Sequence, residues 1–216
     1  IALDRFEEYT PGLRGEPAQL IFEGNITSPD FISKFEEFLI EMSEVEFVGV
    51  NQDGSLNQSG TLNLSKISKL ILSNEKVIED INDKYDLLIT DNDNNFIPDN
   101  QIQIETMIKY GIDNGISSDG EYSFDPLWFQ RYFWYNQELD NDYTSILMVF
   151  LSGTRTEDDV SKVRNEITKL VNEYNFEKDD VRVGITGSPF SRSDQLNATT
   201  DSMRRSIPYA FIASFS

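Results

Sequence analysis

The chain has 216 residues, of which 38% are apolar and 12% aromatic, enough to build the core of one large domain or two small ones. Its net charge of −20 argues against binding to nucleic acid, which needs concentrated Lys and Arg, and against peripheral docking on an anionic membrane. The sequence contains neither Cys nor His, which excludes disulfides, thiolate and Ser-His nucleophiles and most zinc sites, so we expect no enzymatic activity and no cofactor.

The first predicted β-α-β unit begins with the apolar run Gln19–Gly24, which is typical of a buried strand. Ser28 and Pro29 have the residue types of a helix N-cap and of a first helical position. Apolar side chains then recur on one helical face, at Phe31, Ile32, Phe35, Phe38, Leu39 and Met42. The alternating run Val45–Val50, which ends at the turn NQDGS, predicts the second strand of this unit.

An insertion follows at about residues 51–142, and its apolar spacing is mainly helical. One helix is predicted through Leu64, Ile67, Ile71, Val77, Ile78 and Ile81, and a shorter one in QIQIETMIKYGI. The insertion then ends in the densely aromatic segment FDPLWFQRYFWYNQ, which holds both tryptophans of the chain. We expect the insertion to form a helical lobe.

The second predicted unit begins with the long apolar strand Tyr143–Gly153. Thr156 and Asp159 have the spacing of a capping box, and acidic residues fill the first turn of the helix that follows. Val181–Gly187 predicts the closing strand. Two β-α-β units in one chain indicate the α+β class, with a ferredoxin-like split β-α-β sandwich that carries its helices on one face.

Carboxylate and amide side chains in the turn DNDNNFIPDN stand at alternate positions, as in a calcium loop, namely Asp91, Asp93, Asn95 and Asp99. Phe96, however, stands where an EF-hand turn needs glycine, and Ile102 stands where it needs a bidentate glutamate. The sequence therefore leaves open whether this turn binds calcium or is only a polar loop.

The aromatic segment is the second candidate site, with Tyr122, Phe124, Trp128, Phe129, Tyr132, Phe133, Trp134 and Tyr135. If this segment is one helix, consecutive positions such as Tyr132–Tyr135 point all around it and cannot share a single core. Two interpretations stay open. The segment is clamped between the insertion and the main sheet, or some of its side chains line a substrate cleft or an inter-domain contact.

Two turns and the end of the chain carry a resemblance to a known family. Thr27-Ser28-Pro29 opens the first predicted helix, and Thr186-Gly187-Ser188-Pro189 follows the last predicted strand. After Arg204 and Arg205 the chain ends in the uncharged run IPYAFIASFS. In this order the stretches resemble the extracytoplasmic porter loop of RND-superfamily transporters, close to the "predicted exporter" branch that includes MmpL-type and hopanoid exporters.

The resemblance implies a porter-like core at 15–50 and 143–206, the helical insertion at 51–142, and the start of a truncated transmembrane helix at 207–216. It also implies an ion-driven exporter of the cytoplasmic membrane, with this domain on the extracytoplasmic side. The implied partners are a lipophilic or amphiphilic small molecule or lipid, a flanking transmembrane domain and a homologous second loop of the same chain, and a homo-oligomer stays open. The alternative is a membrane-anchored extracellular ligand-binding or sensor module.

Overall fold

The computed structural model describes residues 17–58, 61–117, 123–135, 143–153 and 156–191. Its elements in chain order are strand β1 (Ala18–Gly24), helices α1 (Pro29–Glu44), α2 (Leu64–Leu72), α3 (Glu75–Tyr85) and α4 (Gln101–Asn114), strands β2 (Ile116–Ser117) and β3 (Ser123–Phe124), helix α5 (Pro126–Tyr132), strands β4 (Phe133–Tyr135) and β5 (Tyr143–Val149), helix α6 (Glu157–Tyr174) and strand β6 (Val181–Gly187). The predicted α+β class is confirmed.

Four of these strands form one antiparallel sheet in the order β4-β5-β1-β6. The central strand β1 pairs with β5 from Ala18 opposite Val149 to Gly24 opposite Tyr143. On its other side β1 pairs with β6, and here Ala18 lies opposite Gly187. Because β1 and β6 run in opposite directions, the start of β1 and the end of β6 lie side by side at one end of the sheet.

The core beneath the sheet is built around the ring of Phe22, a fully buried residue of β1. Phe31, Phe35 and Phe38 of α1 meet this ring edge-on, with centroids 5.2–6.0 Å away. Phe176, in the 3-10 turn after α6, meets it at 5.4 Å. Edge-to-face pairs of this kind stabilise a core beyond the area that they bury. The apolar face predicted for the first helix therefore packs against β1.

Both predicted helix starts are confirmed at the level of single hydrogen bonds. The Ser28 hydroxyl accepts a bond from the Phe31 N–H at 3.1 Å, and Pro29 is the first residue of α1. Thr156 accepts from the Asp159 N–H at 3.1 Å, and the Asp159 carboxylate accepts in return from the Thr156 N–H at 2.9 Å. These bonds satisfy N–H groups that have no partner inside the first turn of a helix.

The predicted strand Val45–Val50 is wrong, because the structure has only two isolated bridges there. Val48 pairs with Leu151, and Val50 pairs with Leu56 within its own turn. Phe47 has a φ of 66°, a left-handed conformation that interrupts an extended strand. Farther along the same edge of β5, strand β4 of the insertion takes the pairing positions, with Phe133 opposite Ser145.

The single helix predicted from Leu64 to Ile81 is also wrong, since α2 ends at Leu72 and α3 begins at Glu75. The break falls at Asn74, whose side chain accepts a hydrogen bond from the Val77 N–H at 3.2 Å. An Asn N-cap starts a new helix at this point even though the apolar spacing runs through it.

The insertion and the sandwich share one hydrophobic core rather than two. A polar link also joins them, because the buried Thr27 hydroxyl donates to Glu105 of α4 at 3.3 Å. No helix among the described residues is long and apolar enough to cross a membrane. The predicted start of a membrane span at 207–216 lies outside the described residues.

Candidate functional site

The aromatic segment changes secondary structure in its middle. Asp125 caps α5 by accepting from the Trp128 N–H at 3.1 Å, and α5 ends at Tyr132. From Phe133 the chain continues as strand β4. The expectation that Tyr132–Tyr135 point around one helix is therefore wrong, because side chains of a strand alternate between two faces.

Burial divides the aromatic segment into core and surface positions. Phe129, Tyr132 and Phe133 are buried in the shared core. Phe124, Trp128 and Tyr135 are half-buried, and Trp134 is 44% exposed. Tyr122 lies outside the described residues. The three buried rings fit the clamped interpretation, whereas a substrate-facing role for the others stays a prediction.

The ring of Trp128 lies between two other rings of this segment, those of the half-buried Phe124 and the buried Tyr132. The Trp128 ring stacks on Tyr132 with centroids 6.4 Å apart and meets Phe124 edge-on at 6.2 Å. The Arg131 guanidinium lies 5.3 Å from the centre of the Trp128 ring. Contacts of this kind between rings, and between a guanidinium and a ring, stabilise the position of the Trp128 side chain.

In the acidic turn, side-chain oxygens bond the turn's own backbone. Asp91 accepts from the backbone N–H groups of Asn95 at 3.1 Å and Phe96 at 2.9 Å. Asp99 accepts from the Asn92 N–H at 3.0 Å and from the Thr90 hydroxyl at 2.5 Å. Within the described ranges, no group of three or more acidic residues is placed to hold a metal ion. Calcium binding by this turn stays a prediction.

A half-buried carboxylate, that of Glu105, joins the sandwich to the insertion. Glu105 accepts from Thr27 at 3.3 Å and from the Gln101 amide at 2.9 Å. The amide of Gln101 also donates to Asn25 at 3.0 Å. Burial, together with the charge and the hydrogen bond of Glu105, raises the pKa of the Tyr143 hydroxyl. The cluster therefore connects the turn after β1 with α4 and β5.

A groove that was not predicted from the sequence lies between the end of α1, the turn after Val50 and the helix pair α2–α3. This groove has a volume of about 1300 Å³, and we call it the lysine groove because Lys66, Lys69 and Lys76 line it. Asp53 and Glu75 are its acidic lining residues, and Glu36, which pairs with Lys69, adds a third carboxylate beside it. The whole chain has 18 basic residues against 38 acidic ones, so equal numbers of basic and acidic residues around the groove amount to a local concentration of positive charge.

Lys66 is the deepest of the three lysines, and its side chain is half-buried. Its ammonium donates to the backbone carbonyl of Thr61 at 2.9 Å and lies 5.8 Å from the centre of the Phe124 ring. Burial lowers the pKa of this ammonium. In the parts of the chain that the structure describes, no carboxylate forms an ion pair with it.

The other groove lysines are closer to solvent. Lys69 is exposed and forms an ion pair with Glu36 of α1 at 2.9 Å. Lys76, in the first turn of α3, is exposed as well. The spacing of Lys66 and Lys69 by three residues places them on one face of α2. That spacing was readable from the sequence, but the approach of α1 and of the turn at Asp53 was not.

No protein-family model matches this chain, and no curated protein or solved structure is significantly similar to it.

Proposed function

We propose that this chain is an extracytoplasmic porter-type domain of an ion-driven exporter of lipophilic or amphiphilic compounds, as its resemblance to RND-superfamily transporters implies. In this role the domain contributes a path for the substrate and moves as a rigid body, and it performs no covalent chemistry. Proton or ion coupling belongs to membrane helices in such a transporter.

One observation carries the proposal: the sandwich begins and ends at the same place. The start of β1 and the end of β6 are neighbours in the sheet, with Ala18 opposite Gly187. A side chain at Gly187 would approach the carbonyl oxygen of Pro17 to 2.7 Å, so the two ends are in direct contact. A domain inserted in the loop between two adjacent membrane helices needs its first and last residues close together, so that each can connect to its own helix.

The finer ferredoxin-like assignment belongs to the same proposal. β1 and β5 are each followed by a long helix, and β1 lies between β5 and β6 in an antiparallel sheet. The bridge between Val48 and Leu151 adds a remnant of a fourth core strand beside the end of β5. This arrangement supports a split β-α-β sandwich in which β4 of the insertion takes over part of an edge.

A second candidate is a membrane-anchored ligand-binding or sensor module, and the lysine groove favours it. The groove lies mainly on α2 and α3 of the insertion, together with the end of α1 and the turn after Val50. A sensor would use this groove without moving its ligand across a membrane.

Substituted-cysteine labelling of the full-length parent protein tests the location. The chain has no native Cys, so Asp83→Cys or Glu173→Cys, both at exposed positions, introduces the chain's single thiol. We expect a membrane-impermeant maleimide to label both variants in intact cells, with the unsubstituted parent protein as the blank. Labelling only after the cells are permeabilised would contradict an extracytoplasmic domain.

Efflux then separates the two candidates. An exporter should lower the cellular level of a fluorescent amphiphile, and a protonophore that collapses the ion gradient should abolish that effect. A protein that is labelled from outside but causes no gradient-dependent efflux is the sensor module and not the exporter.

A further inference from the structure

We propose that the lysine groove binds a single-chain amphiphile with an anionic oxygen headgroup, a carboxylate or a phosphate, and that Lys66 contacts this headgroup. The inference does not rest on the export role, because it concerns binding to the chain itself.

Charge is the first argument for an anion. A chain with a net charge of −20 repels anions over most of its surface, yet three lysines line this groove, of which Lys69 is paired with Glu36 at 2.9 Å. The carboxylate of Asp53 is held by the N–H and the hydroxyl of Ser55, at 3.0 and 2.6 Å, and does not reach a groove lysine through any bond in the described residues. Lys66, which no carboxylate of the described residues neutralises, is therefore the point of the groove that attracts an anion.

Lys66 is the second argument for an anion, because its ammonium is half-buried and few protein groups replace the water that it has lost. A buried ammonium ordinarily has a carboxylate or several acceptors beside it. Lys66 has one backbone carbonyl, from Thr61, and a distant ring. An anionic oxygen in the groove would supply the missing partner, since Lys binds phosphate and carboxylate as a point charge.

Apolar side chains in the same groove identify the rest of the ligand. Leu39, Leu56 and Leu70 line it beside the lysines. Ile40 lines it too and is 65% exposed, which is unusual for so large an apolar side chain. A free phosphate would leave these side chains uncovered, whereas an alkyl chain next to the headgroup would cover them. The volume of about 1300 Å³ admits such a chain.

Isothermal titration calorimetry on the purified 216-residue chain tests the ligand class, with each probe kept below its critical micelle concentration. We expect dodecyl phosphate and laurate to bind at least tenfold more tightly than dodecyl maltoside, which has a matched chain and no charge. We also expect them to bind at least tenfold more tightly than inorganic phosphate. Equal affinity for maltoside would overturn the role of the lysines, and equal affinity for inorganic phosphate would overturn the role of the alkyl chain.

Two substitutions locate the site, and each has a matched control. Lys66→Met removes the charge but keeps the length of the side chain, and it should weaken the binding of dodecyl phosphate at least tenfold. Its control is Lys178→Met, at an exposed lysine outside the groove, which should leave the affinity unchanged. Ile40→Gln should weaken dodecyl phosphate several-fold, and Ile102→Gln, at an equally exposed isoleucine on α4, should not. Loss of binding in a control variant, or in neither groove variant, would contradict this location.

Thermal unfolding of the ligand-free protein tests whether Lys66 has a purely structural role. Because a half-buried ammonium with a single acceptor destabilises the empty groove, Lys66→Met should unfold at the same temperature or a higher one. A lower unfolding temperature together with lost binding would mean that Lys66 supports the fold instead of the ligand.

Discussion

At the scale of single residues, one contact between a hydroxyl and a carboxylate joins two helices of the insertion. The Tyr110 hydroxyl on α4 donates to Asp80 on α3 at 2.5 Å. Burial raises the pKa of Tyr110 to about 12, and the hydrogen bond and charge of Asp80 act in the same direction. The folded protein therefore holds this proton more tightly than the unfolded chain does.

This linkage predicts how stability depends on alkaline pH. The contribution of Tyr110 to the free energy of unfolding is complete below about pH 10, the unfolded pKa of tyrosine, and is lost as the pH rises towards 12. Tyr110→Phe should cost about 1 kcal/mol at pH 7, the value of one partly exposed hydrogen bond. It should also flatten the fall in stability between pH 10 and 12, as measured by urea titration.

Asp80→Asn is the companion variant, because it keeps an acceptor beside Tyr110 but removes the charge. Its stability should begin to fall at the same pH, about 10, but the fall should end at a lower pH and be smaller than in the parent chain, because the folded pKa of Tyr110 is raised less without the charge of Asp80. If the free energy of unfolding falls equally steeply between pH 10 and 12 in the parent and in both variants, the contact between Tyr110 and Asp80 does not control the loss of stability at alkaline pH.

At the scale of elements, helix packing in the insertion depends on a glycine. Gly111 of α4 faces the fully buried ring of Phe129 on α5, and a Cβ at Gly111 would lie 2.2 Å from a carbon of that ring. Two carbon atoms that are not bonded to each other cannot approach so closely. The two helices can therefore pack at this distance only if residue 111 has no side chain.

Gly111→Ala therefore sets two effects against each other. Helix propensity alone would stabilise the protein by about 1 kcal/mol. Overpacking against a buried ring costs about 1–3 kcal/mol, and we expect it to exceed the propensity gain, so that chemical denaturation gives a net loss. Phe129→Leu in the same chain should recover part of the loss. A net gain from Gly111→Ala would mean that the helices are farther apart than described.

Elements whose signals are local were predictable from the sequence, and those fixed by distant pairing were not. The caps at Ser28 and Thr156 depend on residues three positions apart, and both formed as expected. The run Val45–Val50 has the pattern of a strand, but its partner edge is shared with β4, which no local pattern reveals. Asn74 had a readable cap signal, which the continuous apolar spacing concealed.

The candidate sites follow the same division. The aromatic segment was identifiable by composition, but its change from helix to strand after Tyr132 decides which rings are buried. The lysine groove needs three separate segments to converge, and only the pair Lys66 and Lys69 is visible within one of them. A convergence of this kind is a property of the tertiary fold.

At the scale of the whole molecule, the insertion is continuous with the sandwich. Strand β4 completes the main sheet, and the buried side chains of both parts belong to one cluster. Glu105 adds a polar link to Thr27. A domain with one core unfolds cooperatively when it is small.

Both tryptophans lie in the insertion, at Trp128 and Trp134, so their fluorescence reports on that part alone. The far-ultraviolet circular dichroism signal also includes α1 and α6 of the sandwich. We expect the urea transitions of the two signals to coincide. A fluorescence transition at clearly lower urea would mean that the insertion unfolds first as a lobe of its own.

The adjacency of the ends of β1 and β6 also determines how the molecule responds to force. In an antiparallel pair the hydrogen bonds run perpendicular to the strands. Force that separates Pro17 from Gly187 therefore loads the pair of Ala18 and Gly187 first, and the next pair only after that one opens. The pairs between β1 and β6 therefore open one after another, whereas a force directed along the strands would load many of their hydrogen bonds at once. Movements that spread the two ends would open the domain at low force, whereas movements that carry both ends together would leave it intact.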